Sequence, residues 1–505
     1  MSDTEIKRIV VAGGGTAGWI AATLLNRVLR PAIEVVLVES EEIGTVGVGE
    51  ATIPPLMNLF IFLGLPENEI VQAVQGTFKL GIEFENWLRP GHRYFHAFGT
   101  PGRDLGIVSF YQYWLKEHMA GRGGSLWDYS LTSQAAFANR FAPLKRIPES
   151  DVEGITHALH FDAGLLARYL RGKCEAQGVI RREGHITGVN LRAEDGYIES
   201  LTLKSGEVIT ADFFIDCTGF RALLIEGALK SGFEDWSHWL PCDRAWAVPC
   251  GYGEDPARGL TPYTRATAHT AGWQWRIPLQ HRIGNGHVFS SKFVAEDAAR
   301  DILLGNLDSE PLAEPRLLKF TTGRRQTSWI KNCLALGLAS GFLEPLESTS
   351  IHLVQSAMTR FVKMFPGRTV TPLEQAQFNR QTRHEYELIR DFIILHYAAT
   401  ERDDSDFWRY CRTMDLPDTL KAKMAYFREH GRLIVEEADL FRESNWAQVL
   451  IGQGLIPSAP SALTRLVDDP SLGEYMANIR QIVTATAREL PPHHLYIDRF
   501  CKAPT

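Results

Sequence analysis

The sequence predicts an α/β chain organised around a parallel, nucleotide-binding βαβ unit, and three observations predict it. A short β-branched run, Arg8 to Ala12, leads into Gly13-Gly14-Gly15-Thr16-Ala17-Gly18, which opens a helical pattern. The next apolar run ends on Glu39, about 20 residues beyond the last glycine. Short buried strands then return at 211–220 and 333–338, and the pattern turns helical and charged from 373 onward.

Each element follows from its residues. Arg8 to Ala12 is short, β-branched and bounded by glycine, as a buried parallel strand is. Trp19 to Leu29 reads as a helix, and Ile33 to Val38 as the second strand. A glycine-rich turn alone also serves as a plain tight connection. Strand, turn, helix, strand and acid in this order argue against that reading. Gly13, Gly15 and Gly18 let the backbone approach a pyrophosphate, and the helix start at Thr16 and Ala17 supplies donors and positive dipole. Glu39 would accept from an adenosine ribose. NAD(P) stays open on this unit alone. The strand over 211–220, ending Asp216-Cys217-Thr218-Gly219, favours flavin, and Cys333 to Leu338 is another buried strand. Strands that return so late imply inserted segments, about 60–150 and 240–320, both aromatic and alternating like sheet.

With 505 residues the chain can bury a large core. Its 45% hydrophobic, 10% aromatic and 22% charged content is that of an ordinary globular protein. Charge is mildly negative, 53 basic against 60 acidic side chains, which argues against a nucleic-acid partner. No apolar stretch reaches the roughly 20 residues of a membrane helix, and no signal peptide is visible. Seven scattered cysteines without a Cys-x-x-Cys pair fit a reducing cytoplasm and no zinc or other metal site.

Four groups could carry chemistry. Phe78, Leu80, Ile82 and Phe84 alternate with Lys79, Gly81, Glu83 and Glu85, so one strand turns Lys79 away from the core. That lysine is either solvated on a sheet surface or projects into an enclosed tunnel, where desolvation lowers its pKa and frees the amine. Trp273, Trp275 and Ile277 share one strand face, as core packing or as a bulky wall. Glu344-Pro345-Leu346-Glu347-Ser348-Thr349-Ser350 precedes a helix with apolar Ile351, Val354, Met358, Phe361 and Phe365. Ser348 is placed as its N-cap, the amides of Thr349 and Ser350 as an anion site, and Glu347 as a structural group or a base. His96 and Phe98 flank Ala97, as core or as a sandwich for a flat aromatic.

Taken together, Gly13–Gly18, Gly47–Pro54, Phe78-Lys79, His160–Gly164, Asp216–Phe220, Trp273-x-Trp275-x-Ile277-Pro278 and Glu344–Thr349 resemble the flavin-dependent tryptophan halogenase family over essentially the whole chain. The resemblance implies an FAD-binding Rossmann-like domain of flavin-monooxygenase (GR2) type with an inserted substrate-side β-sheet, over 1–372. A mainly helical substrate-side subdomain follows over 373–505. Gly49, Ala51, Asp216, Gly337 and Ile351 would join the cofactor site.

The same resemblance implies that FADH2 from a separate reductase reacts with O2 to a hydroperoxide. A halide at Thr349 and Ser350 then gives hypohalous acid, which travels to Lys79. There it forms a haloamine or meets a hydrogen-bond donor, while Glu347 and Ser348 assist. Trp273 and Trp275 would wall the flavin side, and His96 and Phe98 would clamp the aromatic substrate; Pro54 and Trp446 are placed beside them as further substrate-binding residues. Family habit adds a homodimer.

Ser350 stands where enzymes acting on free tryptophan carry glycine. Asn445-Trp446-Ala447-Gln448 stands among 430–460 in place of tyrosines and an acid that hold the amino-acid head, and the flavin Gly-Asp is Gly337-Leu338. These departures point to indole or another electron-rich aromatic, and to bromide ahead of chloride. The rival readings are a flavin-dependent aromatic hydroxylase and a noncatalytic FAD-fold binding module.

Overall fold

The computed structural model describes residues 5–42 and 49–504. The run Arg8–Ala12 lies inside a six-stranded sheet, in the order Trp329–Ile330, Cys333–Ala335, Phe213–Asp216, Arg8–Ala12, Glu34–Glu39, Ile180–Glu183. Ile9 pairs with Phe213 on one side and with Val35 on the other, both in parallel register. The edge strand Trp329–Ile330 runs antiparallel. Both late-returning strands therefore join this one sheet. Helix Thr16–Leu29 covers it with Trp19, Ile20, Leu24 and Leu25, all buried. Each fully buried large apolar side chain contributes about 1.5–3 kcal/mol.

The 240–320 stretch supplies five strands of a seven-stranded sheet, whose order is Arg316–Lys319, Arg244–Cys250, Ile283–Phe289, Gly272–Pro278, Thr264–His269, Gly81–Glu85, Arg93–Ala97. The 60–150 stretch differs from its expected sheet. It holds helices Glu67–Ala73, Phe110–Met119 and Leu131–Phe137 and short strands Thr77–Lys79, Gly81–Glu85 and Arg93–Ala97. Its aromatic richness masks a helical period: Phe110, Tyr113, Trp114 and Glu117 are all buried on one helix.

The expected single strand across 78–84 is two. Thr77–Lys79 belongs to a three-stranded sheet, antiparallel to Ala158–Asp162, whose other neighbour is Gly49–Ala51. The chain then crosses at Leu80 into the seven-stranded sheet. A segment passing between two sheets is covered on both faces, so every residue from Thr77 to Ile82 is buried. Lys79 is 0% exposed, which removes the solvated-lysine reading.

From Pro372–Ala398 onward the chain is helical, with Asp406–Thr413, Asp418–His430, Glu443–Gly452, Asp469–Glu489 and His493–Phe500. Thr371 and Glu374 close a capping box at the first of these. One buried carboxylate ties these helices to the sheet. Glu344 Oε2 accepts from Trp273 Nε1 at 2.9 Å and from the Tyr397 hydroxyl. Burial pushes the Glu344 carboxyl up to about 7. Among the described residues no helix is long and apolar enough to cross a membrane.

Two outcomes follow from this packing. Gly13 has φ +111°, and a Cβ there would stand 2.2 Å from the Cys217 carbonyl oxygen. Gly13→Ala is therefore expected to lower the unfolding free energy by about 1–3 kcal/mol in urea titration, and an unchanged midpoint would count against the tight turn. A folded-state pKa above the unfolded value makes Glu344 hold a proton that the unfolded chain releases. Stability should fall as pH rises from about 4.5 to about 7, by at most about 3 kcal/mol from this group. Glu344→Gln keeps an acceptor and should flatten that slope, whereas Glu344→Leu strands two buried donors at about 1–3 kcal/mol each. An unchanged slope in Glu344→Gln would sink the assignment.

Candidate active site

Above the six-stranded sheet opens a cavity of about 580 Å³, lined by Gly13, Gly14, Gly15, Thr16, Ala17 and Glu39 at the first βα turn. Gly49, Ala51, Gly337 and Ile351, expected in the cofactor site, line this cavity too. Glu39 also accepts from Arg181 Nε at 2.6 Å and from Trp19 Nε1 at 3.3 Å, which fixes it at the rim. Gly47 and Val48 of the Gly47–Pro54 run lie outside the described residues.

Two expected cofactor residues stand elsewhere. Gly18 packs the helix against the turn, where a Cβ would meet the Gly13 carbonyl oxygen at 1.9 Å. Asp216 is buried, and its oxygens accept from the backbone of Thr218, Leu224 and Ile225 and from the Thr218 hydroxyl. It shapes the loop rather than facing the cavity. The loop's Thr218 to Arg221 do line the cavity, a role the Asp-Cys-Thr-Gly-Phe run could have signalled. The glycine cradle, the helix start and the volume fit a dinucleotide such as FAD.

The cavity and the lysine meet at one residue. Ser348 lines the cavity, and its Oγ accepts from Lys79 Nζ at 2.8 Å. Lys79 Nζ also donates to the Thr52 carbonyl at 3.0 Å and stands 5.2 Å from the centre of the Phe98 ring. Burial lowers the Lys79 pKa to about 7, against the opposing pull of Glu347. Ser348 is not the expected N-cap. It takes a left-handed conformation, φ 58°, at the end of the short 3-10 turn Pro345–Glu347, which swings its hydroxyl to Lys79. Helix Ser350–Lys363 follows Thr349, whose side chain makes no capping bond. Ser350 lines the cavity, whereas Thr349 is buried beside it. Amides at a helix start have no intrahelical partner, so both residues keep the donors an anion needs.

Glu347 is fully buried between two histidines. His96 Nδ1 lies 3.0 and 2.9 Å from its two oxygens. His396 Nε2 lies 2.8 Å from Oε1, a close contact without hydrogen-bond alignment. Burial alone would raise this carboxyl, but the two imidazoles outweigh it and hold it at about 2. The site thus sets an anionic carboxylate near a titrating amine.

The other expected residues fall into two groups. Phe98 faces Lys79 and packs with Ile53 and Ala158, with Leu440 against them. Pro54, half-buried, precedes helix Pro55–Leu63. His96 meets Glu347 edge-on and has Phe392 and Phe441 beside it, at 5.5 and 6.2 Å between ring centres. Trp446 sits behind Phe392, ring centres 4.9 Å apart, under the Lys423 amine. Leu440 and Phe441 carried no motif by which to find them. Trp275 lines the cavity; Trp273, its ring 6.1 Å away, is held behind by Glu344. Trp275 pairs across the sheet with Gly286, where a Cβ would stand 2.1 Å from the indole.

The tryptophan halogenase family profile matches residues 8–469. Tryptophan 7-halogenase RebH of Lentzea aerocolonigenes is 34% identical over 96% of each chain. Xcc4156, a flavin-dependent halogenase from Xanthomonas campestris, superposes with a TM-score of 0.95 at 46% identity, covering 99% of both chains. BrvH, a flavin-dependent halogenase from Brevundimonas sp. BAL3, gives 0.94 at 41% identity, over 98% of this chain and 99% of that one. A glycine-cradled cavity joined through Ser348 to a buried lysine, and these likenesses over nearly the full length, have one meaning: the chain belongs to the flavin-dependent tryptophan halogenase family, enzymes that halogenate aromatic substrates.

Proposed function

We propose that this enzyme, with FAD and halide as the family implies, brominates or chlorinates an indole-like aromatic at Lys79. The observation that carries the reading is Ser348, which lines the cavity and whose hydroxyl accepts from the Lys79 amine at 2.8 Å. Bound reduced flavin and O2 supply the two-electron oxidation that turns halide into hypohalous acid. Thr349 and Ser350 amides hold the halide, and Trp275 keeps organic substrate off the cofactor side, which weighs against a hydroxylase. Lys79 then binds the oxidant, either as a haloamine formed with loss of water or by donating a hydrogen bond to it. The halogen passes as X⁺ to a ring carbon and the displaced ring proton goes to Glu347. From a protonated haloamine, whose water left as it formed, this frees the neutral amine. From hydrogen-bonded hypohalous acid the Lys79 ammonium protonates the departing hydroxide to water. In both cases the proton on Glu347 restores the ammonium. A carboxylate this weakly basic suffices, since an arenium C–H is strongly acidic. Selectivity comes from where His96, Phe98, Pro54 and Trp446 hold the ring relative to Lys79.

A separate flavin reductase supplies FADH2. The Ser350 and Asn445 departures support indole or another electron-rich aromatic over free tryptophan, and bromide over chloride. All seven cysteines are free, which supports a cytoplasmic location. A homodimer completes the reading.

Lys79→Ala should abolish halogenated product, read by mass spectrometry, while oxidation of FADH2 persists; surviving product would reject the lysine. Glu347→Gln should cut kcat by about a hundredfold or more. Because Lys79 titrates near 7, kcat should inflect there. A rising limb identifies the neutral amine and a falling limb the ammonium; a flat profile between about pH 6 and 8 would take Lys79 out of the chemistry.

A further inference from the structure

His96 has a hydrogen-bonding neighbour at each ring nitrogen. Nδ1 faces the Glu347 carboxylate at 2.9 Å, and Nε2 lies 3.0 Å from the side-chain amide nitrogen of Asn445. The far end of that amide fixes which way it points. The Asn445 side-chain oxygen accepts the Arg442 backbone N–H at 2.8 Å, closing the first turn of helix Glu443–Gly452. The NH2 group is therefore the end turned to His96, and an amide NH2 donates without accepting. Nε2 must accept. The ring's remaining proton then sits on Nδ1, where it is given to Glu347.

We infer that Asn445 is a positioning residue: it sets the His96 tautomer and, through that ring, fixes the Glu347 carboxylate beside Lys79. The inference deepens the halogenase reading and rests on Glu347 as the proton acceptor. Holding both nitrogens also stops the ring turning about its Cβ–Cγ bond, because a turn would break a contact at each end. On the other side of the carboxylate stands His396, whose Nδ1 meets the Tyr94 hydroxyl at 2.8 Å. Glu347 is thus clamped between two imidazoles, and one of these has its proton placed by a helix-capping side chain.

The test uses the full chain with nitrogen-labelled histidine, the His96 signals being identified by their loss in His96→Gln. Two-bond proton–nitrogen spectra of the unchanged protein should show a neutral ring protonated at Nδ1. Asn445→Asp puts an acceptor where the donor stood and should move the proton to Nε2 or give an imidazolium. In that variant kcat should fall on the order of tenfold while the aromatic KM stays within about twofold. A wild-type ring protonated at Nε2 overturns the inference without any variant. So does an Asn445→Asp protein with both spectrum and kcat unchanged. Glu347→Gln separates the two readings: retained kcat there rejects Glu347 as proton acceptor and leaves the tautomer to the spectra.

Discussion

An amine and a carboxylate lie in one dry interior, and the rest of the molecule is arranged to tolerate them. Lys79 is 0% exposed and Glu347 1%. Removing such charges from water costs several kcal/mol each unless partners replace the lost hydration. Lys79 finds the Thr52 carbonyl and the Ser348 hydroxyl, both neutral, so its charge is only partly compensated and its pKa drops to about 7. Glu347 finds two imidazoles and stays ionised. The asymmetry is useful: the amine is free to exist in either form at neutral pH, while the carboxylate has one form.

The same partners connect that interior to the nucleotide cavity. Gly49–Ala51 lines the cavity and pairs with Ala158–Asp162, whose other edge carries Thr77–Lys79. One residue beyond Ala51, the Thr52 carbonyl receives the lysine. On the opposite flank Ser348 borders the cavity and holds the same amine. Displacing either cavity wall therefore displaces a lysine partner. Asp162 anchors the middle strand's end, accepting from Leu165 N at 3.0 Å and from Arg282 at 2.7 Å.

The sequence made the nucleotide unit legible because short-range chemistry builds it: β-branched strand, glycine turn, helix and acid are contiguous. It also made Lys79, Glu347 and Ser348 legible as a set, but not their setting. Period-two alternation across 78–84 suggested one strand with a polar face. The chain instead changes sheets at Leu80, and a crossover between two sheets has no outer face. Ser348 has the composition of an N-cap, yet the preceding 3-10 turn rotates it one position out of that role. Asp216 ends a nucleotide strand, where a ligand contact is usual, but four nearby donors claim its oxygens first. In each case a long-range contact or a local hydrogen bond outcompeted the pattern. Leu440 and Phe441 were illegible for a plainer reason: their neighbours come from distant strands and helices.

The helix Glu443–Gly452 is tied to the edge of the seven-stranded sheet through two amide side chains. Gln448 accepts from the Ala97 N–H at 3.0 Å and donates to the Ala97 carbonyl at 3.2 Å, standing in for a neighbouring strand at the sheet edge. Three residues earlier, Asn445 divides its amide between the Arg442 N–H and His96. Both side chains are spent on the scaffold, one on the backbone beside His96 and one on its ring. The two amide side chains of this helix thus fix the place of His96 from the backbone beside it and from its ring.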